Sequence, residues 1–299
     1  MNVWFMVQPS TTKTKENKMK LQTTKKELLA STSINDTAKQ WALDNWDYLT
    51  TVNTPLINVN SSTKIEKGQK LNIHTGILYL KPADQVTIKT LCPTAQLMGC
   101  KKGCLIDSGQ LGKKAGSNAA TKRTIMFALN ADKFSQHLKL EILQHQLEYG
   151  DSLAIRLNGT SDIDFTDIIE SMPDVQFYDY TKVYSRVLKN KLPNYDLTFS
   201  GSANNAKSLH MTARAISAGY RTVLAVNTAE TKGEYKLPSK LGDIPLINMD
   251  DTDVRFKDES NAVGVLKRKG SNKGQRAVDE LQDGFFFNQS NINKLAAMV

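Results

Sequence analysis

Ser152-Leu-Ala-Ile-Arg-Leu-Asn-Gly-Thr-Ser-Asp-Ile-Asp164 is a short apolar run that stops abruptly in polar residues. The run is too short for a typical helix and rich enough in aliphatic residues to read as a buried strand, while Asn, Gly, Thr, Ser and Asp are loop and turn formers. The same rhythm recurs downstream. Val175-Gln-Phe-Tyr178 ends in Asp179-Tyr-Thr-Lys182, Tyr195-Asp-Leu-Thr-Phe199 in Ser200-Gly-Ser202, and Arg221-Thr-Val-Leu-Ala-Val226 in Asn227. Ile244-Pro-Leu-Ile247 leads to Asn248-Met-Asp-Asp-Thr-Asp253, and Ala262-Val-Gly-Val-Leu266 to Lys267-Arg-Lys-Gly270. Helical segments fall between them, at Thr166–Glu170 and at Ala206–Ala218, which Gly219 closes. Buried strands interleaved with helices define an α/β protein with a mainly parallel sheet, here a partial or distorted (β/α) barrel. In such folds the polar carboxyl ends of the strands gather on one rim, where ligands bind.

Upstream, apolar residues at helical spacing from Ala119 to Tyr149 predict one long helix with Gly150 as its C-cap. Lys70–Leu80 reads as a strand closed by Lys81-Pro82, preceded by a polar link over 60–70. Thr37, Ala38, Trp41, Ala42, Trp46 and Tyr48 suggest a short amphipathic helix from Asp36, its aromatics serving as packing residues. The organisation expected is a polar, flexible N-terminal extension over 1–35 with a short helix around Lys25–Ala30. A single α/β domain over 36–275 and a C-terminal tail over 276–299 complete it.

All three cysteines lie in Leu91-Cys-Pro-Thr-Ala-Gln-Leu-Met-Gly-Cys-Lys-Lys-Gly-Cys104, with spacing C-x7-C-x3-C. An odd, tightly clustered set is a poor disulfide framework and suits thiolate ligands in a reducing compartment. Cys92, Cys100 and Cys104 would hold an iron-sulfur cluster or zinc, or stand as buried or redox thiols without metal. Three thiols are one ligand short of a closed site. His74, His210 or Asp107 would complete it, or one iron of a [4Fe-4S] cluster would stay open to a cofactor or substrate.

On the rim, Arg156, Asn158, Asp162, Tyr180, Lys182 and Lys267 are the candidate ligand-binding residues. Arg156 and Lys182 suit a phosphate or carboxylate and Asp162 a base or ligand, against the plainer reading of an internally paired arginine and a helix-starting turn. Asp250, Asp251 and Asp253 would bind a divalent cation or simply stay solvated. Gly112-Lys113 is followed by Lys114 where a phosphate loop needs a hydroxyl, and the histidines form no triad, so no catalytic residue is named. The net charge of +9 is concentrated near both termini and in Lys101, Lys102, Lys113, Lys114, Lys122 and Arg123. Such groups attract nucleic acid or an anionic small molecule, keep the chain in solution, or stabilise nearby thiolates. No apolar run approaches the roughly 18 residues that span a bilayer, and the N-terminus lacks a signal-peptide pattern.

Six ordered motifs resemble the phage gene product 88 family. They are Ile73-His-Thr-Gly-Ile-Leu-Tyr-Leu80; Cys92-Pro93 with Cys100 and Cys104; Arg156-Leu-Asn-Gly-Thr-Ser-Asp-Ile163; Val175–Lys182; Pro193-Asn-Tyr-Asp-Leu-Thr-Phe-Ser200; and Asp250-Asp-Thr-Asp-Val-Arg-Phe256. The closing Val263–Gly270 is similar to that family's last strand. The resemblance implies a protein of phages, prophages, plasmids and related mobile elements, cytoplasmic in a bacterial host. A cysteine trio ahead of barrel-like strands is also similar in outline to radical S-adenosylmethionine enzymes, in which three cysteines hold a [4Fe-4S] cluster; their usual spacing is C-x3-C-x2-C. Two functional expectations follow: a metal or iron-sulfur site at the rim of an α/β barrel, of radical enzyme type, or a zinc-stabilised nucleic-acid-binding protein of phage or plasmid replication.

Overall fold

The computed structural model describes residues 21, 23–59, 71–101, 104, 112–226, 238–267 and 285–299. Helices α1 (Lys25–Ala30), α2 (Asp36–Asp44) and α3 (Trp46–Thr51) lead into strands β1 (Ile57–Val59) and β2 (His74–Leu78). The long helices α4 (Lys114–Leu129) and α5 (Ala131–Tyr149) follow, then β3 (Leu153–Arg156), α6 (Thr166–Glu170), β4 (Gln176–Thr181), α7 (Tyr184–Lys189) and β5 (Tyr195–Ser200). Helix α8 (Ala206–Ser217), strands β6 (Thr222–Val226), β7 (Lys240–Leu241), β8 (Ile244–Asn248) and β9 (Val263–Lys267), and helix α9 (Gln289–Ala296) complete the set.

The strands form one open sheet in the order β1-β2-β3-β4-β5-β6-β9-β8-β7. From β2 to β6 each strand pairs in parallel with its successor in the chain, as in a barrel wall, and β6, β9 and β8 continue the parallel run. Antiparallel β1 and β7 lie at the two edges, so the sheet is a partial barrel and does not close.

Alternation along the strands gives the sheet two unlike faces. Leu153 and Ile155 of β3, Phe177 of β4 and Leu197 and Phe199 of β5 share a core with Ile125, Phe134, Leu138, Ile142, Ile169 and Val187 of the helices. Leu224 and Val226 of β6 extend this layer over α8 and α9 through Ile216, Ile292 and Leu295. On the opposite face the intervening residues are Ala154 and Arg156, Tyr178 and Tyr180, and Asp196 and Thr198, the last two pairs in register across β4 and β5. Ala154 and Tyr178 pack there on Val254, with Phe256 beside them. This polar inner face is the floor beneath the rim.

Each later repeat contains a strand, although β4 runs on through Asp179–Thr181, which the sequence places beyond its end; the expected ends after Val226 and Lys267 lie outside the described residues, and Thr166–Glu170 is helical as expected. The long middle helix is two helices. Asn130 breaks it, leaving the helical region at φ −156° and capping the second segment by accepting a hydrogen bond from the Lys133 N–H at 2.9 Å. The first of the two begins at Lys114, five residues ahead of the expected start at Ala119. The part of the N-terminal extension that the structure describes is packed rather than loose: Leu28 and Ile34 are fully buried and Ile34 bridges Thr87. The described part of the tail, 285–299, is likewise part of the core, since Phe287 pairs with Val226 and Ile292 and Leu295 are buried. Neither segment could be read as packed from polar composition alone. The link over 60–70 lies outside the described residues.

Lys122 and Arg123, grouped above with the charges near the cysteines, are buried. The Lys122 ammonium donates to the carbonyls of Tyr48 and Val52 at the carboxyl end of α3, and Arg123 Nε donates to Pro55 O at 2.7 Å. A cation at a helix C-terminus meets the negative end of the dipole, so these two charges serve packing of α4 on α3. Among the described residues, no helix is long and apolar enough to cross a membrane.

Candidate functional site

The cysteine segment is a series of turns stitched to the carboxyl ends of the strands. Leu91 N–H donates to Ala83 O, and Asp162 N–H donates to Leu91 O, both at 2.9 Å. The turn closes through Ala95 N–H to Cys92 O at 3.0 Å and Met98 N–H to Thr94 O at 2.9 Å. The connection from β5 to α8 clamps the far side: Ser202 Oγ donates to Met98 O at 2.7 Å, and Asn204 and Asn205 both donate to Leu97 O, at 3.0 and 2.8 Å. Gly99 has φ +68°, and a Cβ there would lie 2.4 Å from the Asn204 side chain, so glycine is required on two counts.

Cys92, Cys100 and Cys104 form no disulfide, and all three line one cavity of about 240 Å³ at the carboxyl ends of the parallel strands. The same cavity is lined by Arg156, Asn158, Asp162, Tyr180, Lys182 and Lys267, the residues that the sequence places on the rim. Ala225, Leu266, Phe285 and Phe286 form an apolar wall that the sequence reading missed. The phenylalanines are distant in sequence, and their signal there is the aromatic run Phe285-Phe-Phe287.

The thiols stand apart. Among the described residues no three His, Cys, Asp or Glu side chains come close enough to hold a metal ion as they are placed. Cys92 Sγ accepts from Ala83 N–H at 3.3 Å and faces Thr160 O at 3.8 Å, and Cys100 Sγ faces Ala95 O at 3.8 Å. Burial pushes the Cys92 thiol up to about 12 and raises Cys100 also, so neither is an activated nucleophile by itself. The donor chemistry nonetheless fits a soft metal: three sulfurs outside any disulfide line one cavity, where the Lys182 ammonium already acts to lower the Cys100 thiol and a metal cation would favour the ionised form further.

Two of the proposed fourth ligands lie elsewhere. His74 is at the amino end of β2, stacked on Tyr149 at 4.5 Å, and His210 on α8 lines a separate surface groove with Tyr184 and Arg214. Asp107 lies outside the described residues.

Most rim polar groups are already committed to one another. Arg156 Nη1 meets Asp253 Oδ2 at 2.5 Å, and its guanidinium lies 5.1 Å from the centre of the Tyr180 ring. The acidic turn is correspondingly dispersed: Asp253 takes Arg156, Asp250 accepts from Lys267 N–H at 2.9 Å, and Asp251 accepts from Asn248 Nδ2 at 3.1 Å. Asp162 accepts from Thr181 Oγ1 at 2.7 Å, Lys182 N–H at 2.8 Å and Arg186 Nη1 at 2.6 Å, which fixes the end of β4 to α7. Asn158 donates to Asp179 through its backbone N–H at 2.9 Å and its side chain at 3.3 Å, while its carbonyl oxygen accepts from Ser161 and Ile163. Gly159 passes so close to β2 that a Cβ would lie 2.8 Å from Leu78 O.

Asp179 carries the cost of this arrangement. Burial raises its carboxyl to about 6, against the lowering effects of Arg156 and the Asn158 N–H groups. A folded-state value above the unfolded one means the carboxyl adds stability below the unfolded value near 3.8, and this is lost as pH rises through about 6. Urea denaturation of the Asp179→Asn variant is therefore expected to show a stability difference from the parent that grows in the variant's favour by about 2 kcal/mol between pH 4 and 7. With its oxygen in place of Oδ1 the amide keeps the Asn158 N–H contact, and its nitrogen can donate to the Tyr195 hydroxyl, which lies 3.4 Å from Asp179 Oδ2, at the loss of the longer contact with Asn158 Nδ2. A pH-independent difference would show that Asp179 does not charge at a cost in the folded protein.

An open, singly wound α/β sheet with a mixed polar and apolar cavity at the carboxyl ends of its strands is the architecture of a ligand-binding rim. Within that class, the chain belongs to the Gene product 88 family, whose model matches residues 49–282. No curated protein and no solved structure matches it.

Proposed function

We propose that the rim cavity is a metal-assisted small-molecule site, in which Cys92, Cys100 and Cys104 hold an iron-sulfur cluster in a protein of phage or mobile-element type. The observation that carries this reading is that every cysteine of the chain lines a single cavity, together with the six rim residues. Neither His74 nor His210 is near enough to close a four-ligand zinc site, which favours a cluster with one open iron over structural zinc. When bound, such a cluster would supply electrons singly to a ligand in the cavity, the chemistry of a radical-type enzyme. Around it, Lys182, Tyr180 and the phenylalanine wall would orient that ligand and limit access of water. The reducing cytoplasm of a bacterial host suits such thiols.

The competing reading, a zinc-stabilised nucleic-acid-binding protein, loses support where its basic residues are consumed. Lys122 and Arg123 are buried and Lys101 pairs with Asp84 at 2.8 Å.

Purified without oxygen and supplied with iron and sulfide, the protein is expected to be brown and to hold about four irons and four sulfides per chain. Cys100→Ser is expected to lose most of both. A colourless parent with stoichiometric zinc would remove the cluster, and unchanged metal content in the variant would remove the cysteine assignment.

A further inference from the structure

Three cationic residues line the cavity, the exposed Lys267 and the more enclosed Arg156 and Lys182, and of the latter two only Arg156 has a carboxylate in ion-pair contact among the described residues. Arg156 has Asp253 at 2.5 Å. Lys182 has no carboxylate within ion-pair distance among the described residues. Its ammonium donates to Ser200 Oγ at 2.8 Å and Ser200 O at 3.2 Å, two neutral acceptors, and lies 4.5 Å from the centre of the Phe285 ring. An ammonium has three donors, so one remains for a further acceptor. A half-buried cation whose direct contacts are two neutral oxygens and an aromatic face, with the Asp162 carboxylate and the cysteine sulfurs acting on it only from further off, is better satisfied when an anion completes its shell. Asp162 itself is occupied by Thr181, the Lys182 backbone and Arg186.

The wall opposite the polar residues has the complementary character. Phe285 and Phe286 meet edge to face at 4.8 Å, and Leu266 and Ala225 continue the apolar surface from β9 and β6. Phe287 is fully buried and pairs with Val226, so the backbone that carries the two rings is anchored to the sheet. A flat apolar group fits against such a wall, and Lys182 stands at its edge.

We propose that the cavity selects a ligand with a flat, unsaturated ring system and an anionic group, the anion taken by Lys182 and the ring lying against Phe285, Phe286 and Leu266. This rests on the reading of the cavity as a small-molecule site and names the ligand class; it does not require the metal to be present.

Fluorescence titration with 8-anilinonaphthalene-1-sulfonate, and with the uncharged N-phenyl-1-naphthylamine that has the same ring system, tests it on metal-free full-length protein. The parent is expected to bind the sulfonate at least about tenfold more tightly than the neutral probe, the scale of a charge-assisted hydrogen bond. Lys182→Met is expected to abolish that preference while keeping the neutral probe's affinity, and Phe286→Ala to weaken both probes alike. Equal affinity for the two probes in the parent would overturn the proposal whatever the variants do, as would an undiminished preference in a folded Lys182→Met. Iron and sulfide counts on reconstituted samples of the same preparation separate the two ideas. Anion preference without iron leaves the ligand class standing and removes the cluster, whereas iron without anion preference removes the ligand class alone.

Discussion

Asp162→Ala is expected to lower the thermal midpoint by about 10 °C. Three donors converge on this carboxylate: the Thr181 hydroxyl, the Lys182 N–H and the Arg186 guanidinium at 2.6 Å, with the carboxylate and the guanidinium each 10% exposed. Removing one partner of a buried ion pair strands the other, which costs about 3–5 kcal/mol, and in a domain of this size each kcal/mol moves the midpoint by about 2–4 °C. Arg186 keeps a contact with the Tyr195 hydroxyl at 2.9 Å, but a neutral acceptor does not replace the charge. Calorimetry of the variant reads the result directly. A shift within about 2 °C would mean that Asp162 is not the hub of the rim and would return it to the pool of groups free to meet a ligand.

The second large effect concerns Arg156 and Asp253, whose side chains are 11% and 8% exposed. Arg156→Met alone leaves Asp253 charged in the inner face, and Asp253→Leu alone leaves the guanidinium, so each is expected to cost about 3–5 kcal/mol. Combining them removes both charges together, and the double variant is expected to recover most of that loss, as buried pairs replaced by apolar residues commonly do. Urea midpoints of the four proteins form the cycle. Strictly additive losses would show that the two side chains do not share their energy, and that Arg156 is instead available as an anion-binding cation.

The strand rhythm made the sheet legible because buried parallel strands are uninterrupted apolar runs whose boundaries are marked by polar residues, as at Leu157-Asn158 and Phe199-Ser200. The rim was legible for the same reason: residues just past strand ends must meet in space once the strands are parallel. What those residues do there was not legible. Arg156 and Asp253 are 97 positions apart, and nothing local marks Asp253 as a partner rather than one of three solvated acids. Lys122 and Arg123 look like surface charge in the sequence because their acceptors are carbonyls around α3, and a backbone oxygen leaves no trace in side-chain composition. Asn130 was passed over because the apolar spacing on either side stays helical across it. Phe285 and Phe286 were missed because residues read as a tail outside the domain gave no reason to bring them back over β6.

Ser200 and Ser202, two residues apart, hold different things: the first receives the Lys182 ammonium and the second fixes the cysteine turn through Met98 O. The anchor for an anion and the anchor for the thiols therefore hang from one short connector, and neither can be displaced without moving the other. If an anion sits on Lys182 and a metal on the thiols, as proposed, a shift of this connector on binding one would change affinity for the other, and by reciprocity the factor would be the same in both directions.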